Sequence, residues 1–396
     1  MHVRPSLKVG FLLPALLIAT LIADIGLRLL PVQDLTFRPW EAVRRFRPAD
    51  EAFQPNRRLL KERSYGGLVA LGNLPALRQY RPETFTTDAF GYRNPPLQSL
   101  VSWASRGVEG LLVGSSMATG VGNSDEEILS VQLSTLSGRS VYNGSLTLNL
   151  HNLDRIRWLA QRLGMDEGVV IFEYLESYDL PDTKYDGVPR PCFRLLDAAQ
   201  LRQFDPLCSY VHGFLEVSPL QIFTQRLIRL LQNDVILPNI YTHAVVQARL
   251  RNGMPMLFAP ADGERFYTYR DVRPAAEYLT WMAEELKKDN LDLLVVIVPS
   301  GYTVYRPLLA DQERPIPEFV PYTDRLEAQL RTAGVPVVNL TEPFVTQALA
   351  DLDRGQYIYW QDDHHWNARG IGLAAEKIRP VFDQLRMQRH ERRTGA

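Results

Sequence analysis

The sequence predicts an α/β protein: a parallel sheet of five strands flanked by helices, interrupted by a mostly helical insertion and preceded by an N-terminal membrane helix. Three observations carry this. From Gly110 onward short apolar runs alternate with amphipathic segments, the signature of strand-helix units. Between Tyr174 and Arg273 that rhythm lapses. At the N-terminus an apolar stretch of about 20 residues is long enough to span a bilayer as a helix. With 396 residues, 45% hydrophobic and 22% charged, the chain can bury a large core and has the composition of a globular protein. Its 44 Lys+Arg stand against 45 Asp+Glu, so at a net charge of −1 there is no general pull toward nucleic acid.

The N-terminal element comes first. Arg4 and Lys8 precede a run from Val9 to Ala23 that is apolar or small throughout, and the apolar character resumes past Asp24 and Arg28 as far as Leu30. A small-x-small cleavage site is weak, because Leu21 sits two before Ala23, so an uncleaved anchor over residues 1–31 is favoured over a signal peptide. A buried core helix would need an amphipathic stripe, which is missing. The anchor implies a single-pass protein of the inner membrane with its bulk in the periplasm. Residues 32–107 carry many Pro and Arg with little periodicity and are expected to form a juxtamembrane stalk and lead-in.

The catalytic domain is expected over 108–390. Its strands are Leu111 to Val113, Ser140 to Asn143, Val169 to Phe172, Leu291 to Val298 and Val335 to Asn339. Helices are expected over Asp125 to Leu136, Asn152 to Leu163, Pro274 to Lys287, Thr323 to Thr332 with Gly334 as its stop, and Gly370 to Arg386. Residues 175–273, including LQIFTQRLIRLLQNDVILPNIY, are expected to form a cap over the sheet. Cys192 and Cys208 are the only cysteines. In an oxidising compartment they can close a loop worth about 3 kcal/mol, or remain unrelated thiols.

Ligands of such sheets bind at the carboxyl ends of the strands. There LLVGSSMATG, residues 111–120, places a serine at the turn from the first strand into a helix. A serine needs a base. Of the seven histidines, His2 and His390 are terminal, His212 and His243 fall in the cap, and His151 opens a helix. His364 and His365 remain, in YWQDDHHWNARG, residues 359–370, before the terminal helix. A carboxylate three residues ahead of His365 can orient its imidazole through one nitrogen and leave the other to take a proton from Ser116. Asp362 has that spacing, and Asp363 is the alternative. Four adjacent residues rarely converge on one ion, so metal ligation by this cluster is not expected.

These residues resemble the SGNH or GDSL-type hydrolases and acyltransferases, which carry a G-D-S turn after the first strand and a D-x-x-H-P-N-x-x-G segment near the end. Gly114-Ser115-Ser116 matches the first, and Asp362, His365, Asn367 and Gly370 match the second. TDAFGYRN, residues 87–94, resembles the T-N-x-x-G-F-R of exported members, and GVGNSDEE the acidic opening of their first helix. The resemblance covers roughly residues 85–180 and 290–385 and implies a flavodoxin-like sheet with a triad of Ser116, His365 and Asp362. Ser115 stands where the family has Asp, and FEYLES where it has G-x-N-D, whose Asn helps build the oxyanion hole. Asn143 and Asn149 are therefore the candidate oxyanion donors, and Tyr174 with Glu173 candidate pocket residues. Trp366 gives HHW, similar to the D-x-H-W of alginate O-acetyltransferases. The serine-first order resembles peptidoglycan O-acetyltransferases and the D-alanyl transfer protein of teichoic acid synthesis.

The resemblance implies a periplasmic acyltransferase, an O-acetylating enzyme with a polysaccharide acceptor and a membrane-bound partner that supplies the acyl group. No cofactor is expected, and the balanced charge gives no reason to expect nucleic acid. An esterase with the same triad and a non-catalytic envelope protein are the alternatives.

Overall fold

The computed structural model describes residues 6–29, 36–44, 52–97, 107–147, 153–176, 220, 224, 245–259, 271–310 and 321–394. In chain order the elements are helices Ser6–Arg28 (α1) and Pro39–Arg44 (α2), strand Arg58–Ser64 (β1), helix Gly67–Leu71 (α3), and strands Arg81–Thr86 (β2) and Gly110–Val113 (β3). Then come helices Ser116–Thr119 (α4) and Leu129–Ser137 (α5), strand Val141–Asn143 (β4), helix Leu153–Arg162 (α6) and strand Gly168–Leu175 (β5). Strands Val246–Arg249 (β6) and Pro255–Phe258 (β7) precede helix Arg273–Lys288 (α7) and strand Leu291–Val298 (β8). Helices Gly301–Tyr305 (α8) and Tyr322–Thr332 (α9), strand Val337–Asn339 (β9), and helices Thr341–Asp351 (α10) and Ala368–Thr394 (α11) complete the chain.

The main sheet has five strands in the order β4-β3-β5-β8-β9, with every neighbouring pair parallel. Strands β5 and β8 are near-continuous apolar runs because both sheet faces are covered. Alternate residues feed two core clusters. Leu111, Val113, Val170, Phe172 and Val295 face α6, α7 and α9, while Leu112, Val169, Ile171, Leu294 and Val296 face α5, α10 and α11. In α7 the buried Ala275, Ala276, Leu279, Met282 and Leu286 form the expected stripe, with Pro274 in its first turn. The chain leaves β3 one way for β4 and then crosses back to β5 on the other side. The β3-β5 boundary is therefore the point where connections diverge, the usual place for a ligand site.

Several expectations are corrected. Strand β5 runs past Phe172 to Leu175, paired to β8 along its whole length, so Glu173 and Tyr174 belong to the strand. The expected helix over Asp125 to Leu136 is broken at Ile128, whose extended backbone (φ −73°, ψ 153°) separates a capped turn, Asp125–Glu127, from α5. Helix α10 was not expected. The terminal helix starts at Ala368 because the Asn367 side chain receives the N–H groups of Arg369 and Gly370.

The lead-in is not a stalk. Strands β1 and β2 pair antiparallel, and Phe53, Phe85, Tyr92 and Arg93 are buried. Arg93 donates to the carbonyls of Thr84, Gly120 and Asn123, so one guanidinium fastens this segment to the turn after α4. In the cap the described residues include a β6-β7 hairpin, whose Leu257 donates its N–H to the Gln361 carbonyl, and the helical Leu220 and Thr224. Most of the cap, with Cys192 and Cys208, lies outside the described residues. The N-terminal helix forms as α1, with Leu16, Leu17, Ile18, Leu21 and Ile22 exposed. Its run is interrupted by Pro14, Thr20 and the buried Asp24, and among the described residues no helix is long and apolar enough to cross a membrane.

Candidate active site

Two loops meet at the carboxyl edge of the sheet. The first leaves β3 through Gly114. Ser115 takes an extended conformation and caps α4, its hydroxyl receiving the Met117 N–H at 3.3 Å. Ser116 thus becomes the first helical residue, half-buried, and Gly120 ends the helix in the left-handed region at φ +82°. The second loop spans residues 359–367. It is closed by a bridge between Tyr359 and Trp366 and by the Trp360 N–H on the His365 carbonyl. Trp366 is fully buried and donates its indole N–H to the Met117 carbonyl at 3.1 Å, which ties this loop to α4. Gly370 lets α11 approach, since a Cβ there would lie 2.3 Å from the Ile358 oxygen.

This framework brings together Ser116 and His365, residues 249 apart in the chain, with Oγ and Nε2 at 2.8 Å. The other ring nitrogen, Nδ1, lies 3.1 Å from Asp363 Oδ1, at ion-pair distance although the N–H is not aligned on the oxygen. A proton on Nδ1 facing Asp363 leaves Nε2 to accept from the serine hydroxyl. Burial raises the Asp363 carboxyl, but His365, His364 and Arg38 outweigh it and hold the group well below the usual carboxylate range. It is an anion at neutral pH. Burial and the neighbouring His365 push His364 down to about 3, so that ring stays neutral, its centre 4.0 Å from that of His365 at a tilt of 35°.

The structure places Asp363, not Asp362, against the His365 ring and turns Asp362 away. Asp362 is fully buried and receives the N–H groups of Gly66 and Gln79 on Oδ2 at 2.8 and 2.9 Å, and Arg81 on Oδ1 at 3.0 Å. A Cβ at Gly66 would lie 2.0 Å from the Asp362 carbonyl oxygen, so only glycine allows the approach. Burial raises the Asp362 carboxyl, Arg81 partly offsets that, and the neighbouring Asp363 adds to it. Arg81 reaches further. Its Nε donates to the Gly122 carbonyl, its outer nitrogen lies 3.9 Å from Asp363 Oδ2, and its guanidinium stacks 4.0 Å over Trp360.

The remaining candidates do not join the pair. Asn143 donates its amide to the Ala118 carbonyl at 3.1 Å and receives the Ser145 N–H on its oxygen, so it is a structural bolt. The Tyr174 hydroxyl is buried against that of Tyr322 at 2.8 Å, within the other core cluster. Asn149 lies outside the described residues. Gly66, Gln79 and Arg81 were missed, since nothing in their local pattern points to a loop almost three hundred positions away. Among the described residues Asp363, His364 and His365 also offer ligand atoms within 4.8 Å of one another, but an ion on His365 Nδ1 would displace the Asp363 contact.

Residues 264–394 match a protein family described as the SGNH hydrolase-like domain of the acetyltransferase AlgX. The match takes in β8, β9, the histidine loop and α11, and stops short of the serine turn and the lead-in. No curated protein matches the chain. This part of the chain is SGNH hydrolase-like and similar to an acetyltransferase, in agreement with the parallel sheet and its flanking helices.

Proposed function

We propose that the protein is a serine O-acyltransferase that acetylates a cell-envelope or secreted polysaccharide outside the cytoplasm. The observation that carries this is the placing of Ser116, His365 and Asp363 side by side at the carboxyl edge of the sheet. Similarity to an acetyltransferase supports acetyl as the group moved. In the first half-reaction His365 Nε2 takes the Ser116 proton as Oγ bonds to the acyl carbonyl carbon. The tetrahedral intermediate then expels the donor's leaving group, which takes the proton from His365, and an acyl-serine remains. In the second half a sugar hydroxyl gives its proton to His365 and attacks the ester, and Ser116 leaves with that proton. Water in place of sugar gives hydrolysis. The N–H of Ser116, which starts α4 without an intrahelical acceptor, is the available donor for the oxyanion.

The exposed apolar residues of α1 support it as the tether that keeps the domain beside a membrane-bound acyl donor. Protease treatment of spheroplasts tests that placement, with loss of the domain expected and protection overturning it. The chemistry is tested with an activated acetyl ester, with and without oligosaccharide, by following product mass. Acetylated sugar is expected; release of acetate alone at an unchanged rate makes the protein an esterase.

A further inference from the structure

Beneath the nucleophile turn lies a carboxylate that neither half-reaction uses. Glu173 sits on β5, between Ile171 and Leu175 on the face that packs in an apolar cluster, and is fully buried. Its strand partner is Val296 of β8. Its Oε2 receives the Ser115 N–H at 2.6 Å and the Ser115 hydroxyl at 3.0 Å, and the Ala118 N–H also donates to the group. Among the described residues no cation is one of its partners. Burying a carboxylate in this way is unfavourable unless its donors are well placed, and all of them come from the residues flanking Ser116. Gly114 completes the fit, since a Cβ there would lie 2.3 Å from Oε2.

We infer that Glu173 is a positioning residue for Ser116, its carboxylate fixing the turn so that Oγ stands where His365 can take its proton. It occupies the strand end at which FEYLES departs from the G-x-N-D of the resembling hydrolases. The carboxylate also serves the turn from both sides of the nucleophile, through Ser115 before it and Ala118 after it. Loss of these hydrogen bonds loosens the serine without touching the acyl group or the sugar.

The inference rests on Ser116 being the nucleophile. The full chain is compared with its Glu173→Gln and Ser115→Ala variants for fluorophosphonate labelling rate, kcat and KM with an activated acetyl ester, and melting temperature. Glu173→Gln is expected to lower labelling and kcat at least tenfold, with KM within about twofold and a folded protein. Ser115→Ala, which keeps the N–H donor, is expected to fall less. Labelling of Glu173→Gln at the wild-type rate overturns the inference. If that variant does not fold, Gly114→Ala displaces the carboxylate without removing it, and wild-type labelling by Gly114→Ala overturns the inference as well. Acyl transfer surviving in Ser116→Ala would instead sink the nucleophile reading itself.

Discussion

The two loops that carry the reacting groups are each braced by a buried carboxylate, but by opposite means. The histidine loop is held by Asp362, which pairs with a guanidinium and two N–H groups brought from the far end of the sequence. The serine turn is held by Glu173, whose donors are neutral and lie within three residues of the nucleophile. An ion pair between distant segments fastens one body to another, and removing one partner strands a buried charge. A carboxylate met by neutral donors shapes one turn. The histidine loop is therefore held by assembly, and the serine turn by local geometry.

The largest effects should separate chemistry from both braces. Ser116→Ala and His365→Ala are expected to abolish fluorophosphonate labelling and lower transfer about 10⁴-fold or more, with the melting temperature of Ser116→Ala unchanged. Next, Asp363→Asn is expected to lower turnover about 10³- to 10⁴-fold. Asp362→Asn should keep more turnover while unfolding at a lower temperature through a loss of about 3 kcal/mol. Equal turnover losses in the two variants would merge their roles and break the comparison. Arg81→Met, which frees both Asp362 and the turn at Gly122, is expected to destabilise by about 3 kcal/mol in thermal melts.

The smallest effect is a pH slope. Burial pushes the Glu173 carboxyl up to about 7 from an ordinary value of 4.5, with the Ser115 and Ala118 donors acting against it. Between those values the folded protein holds a proton that the unfolded chain has lost. Stability from this group is thus full below about 4.5 and is lost as pH rises through about 7. Glu173→Gln removes the titration, so melts from pH 5 to 8 should show the variant gaining on the wild type as pH rises. A difference that does not change with pH would show that Glu173 does not titrate in this range.

Much of this was legible in the sequence, and the exceptions share a cause. The sheet strands were legible as apolar runs, and the terminal motif as a local cluster on one loop. The end of β5 was hidden because Glu173 and Tyr174 interrupt the run, yet pairing to β8 carries the strand through them. Spacing could not decide between Asp362 and Asp363, because their directions are set by Gly66, Gln79 and Arg81 on one side and His365 on the other. The lead-in showed no periodicity because much of its order comes from long-range bonds, those of Arg93 among them, and not from a repeating apolar face.

The closeness of Gly66 to the Asp362 carbonyl bears on the order in which the protein is made. The Asp362 side chain receives the Gly66 N–H across a separation of 296 residues. Contacts of such separation form only after a large loop has closed, which delays them relative to local structure. During synthesis the serine turn can meet Glu173 after 58 residues, whereas the histidine loop must wait for residues 359–367 and for the lead-in to close over it. A chain cut short before residue 362 would carry its serine with no base and would be chemically silent.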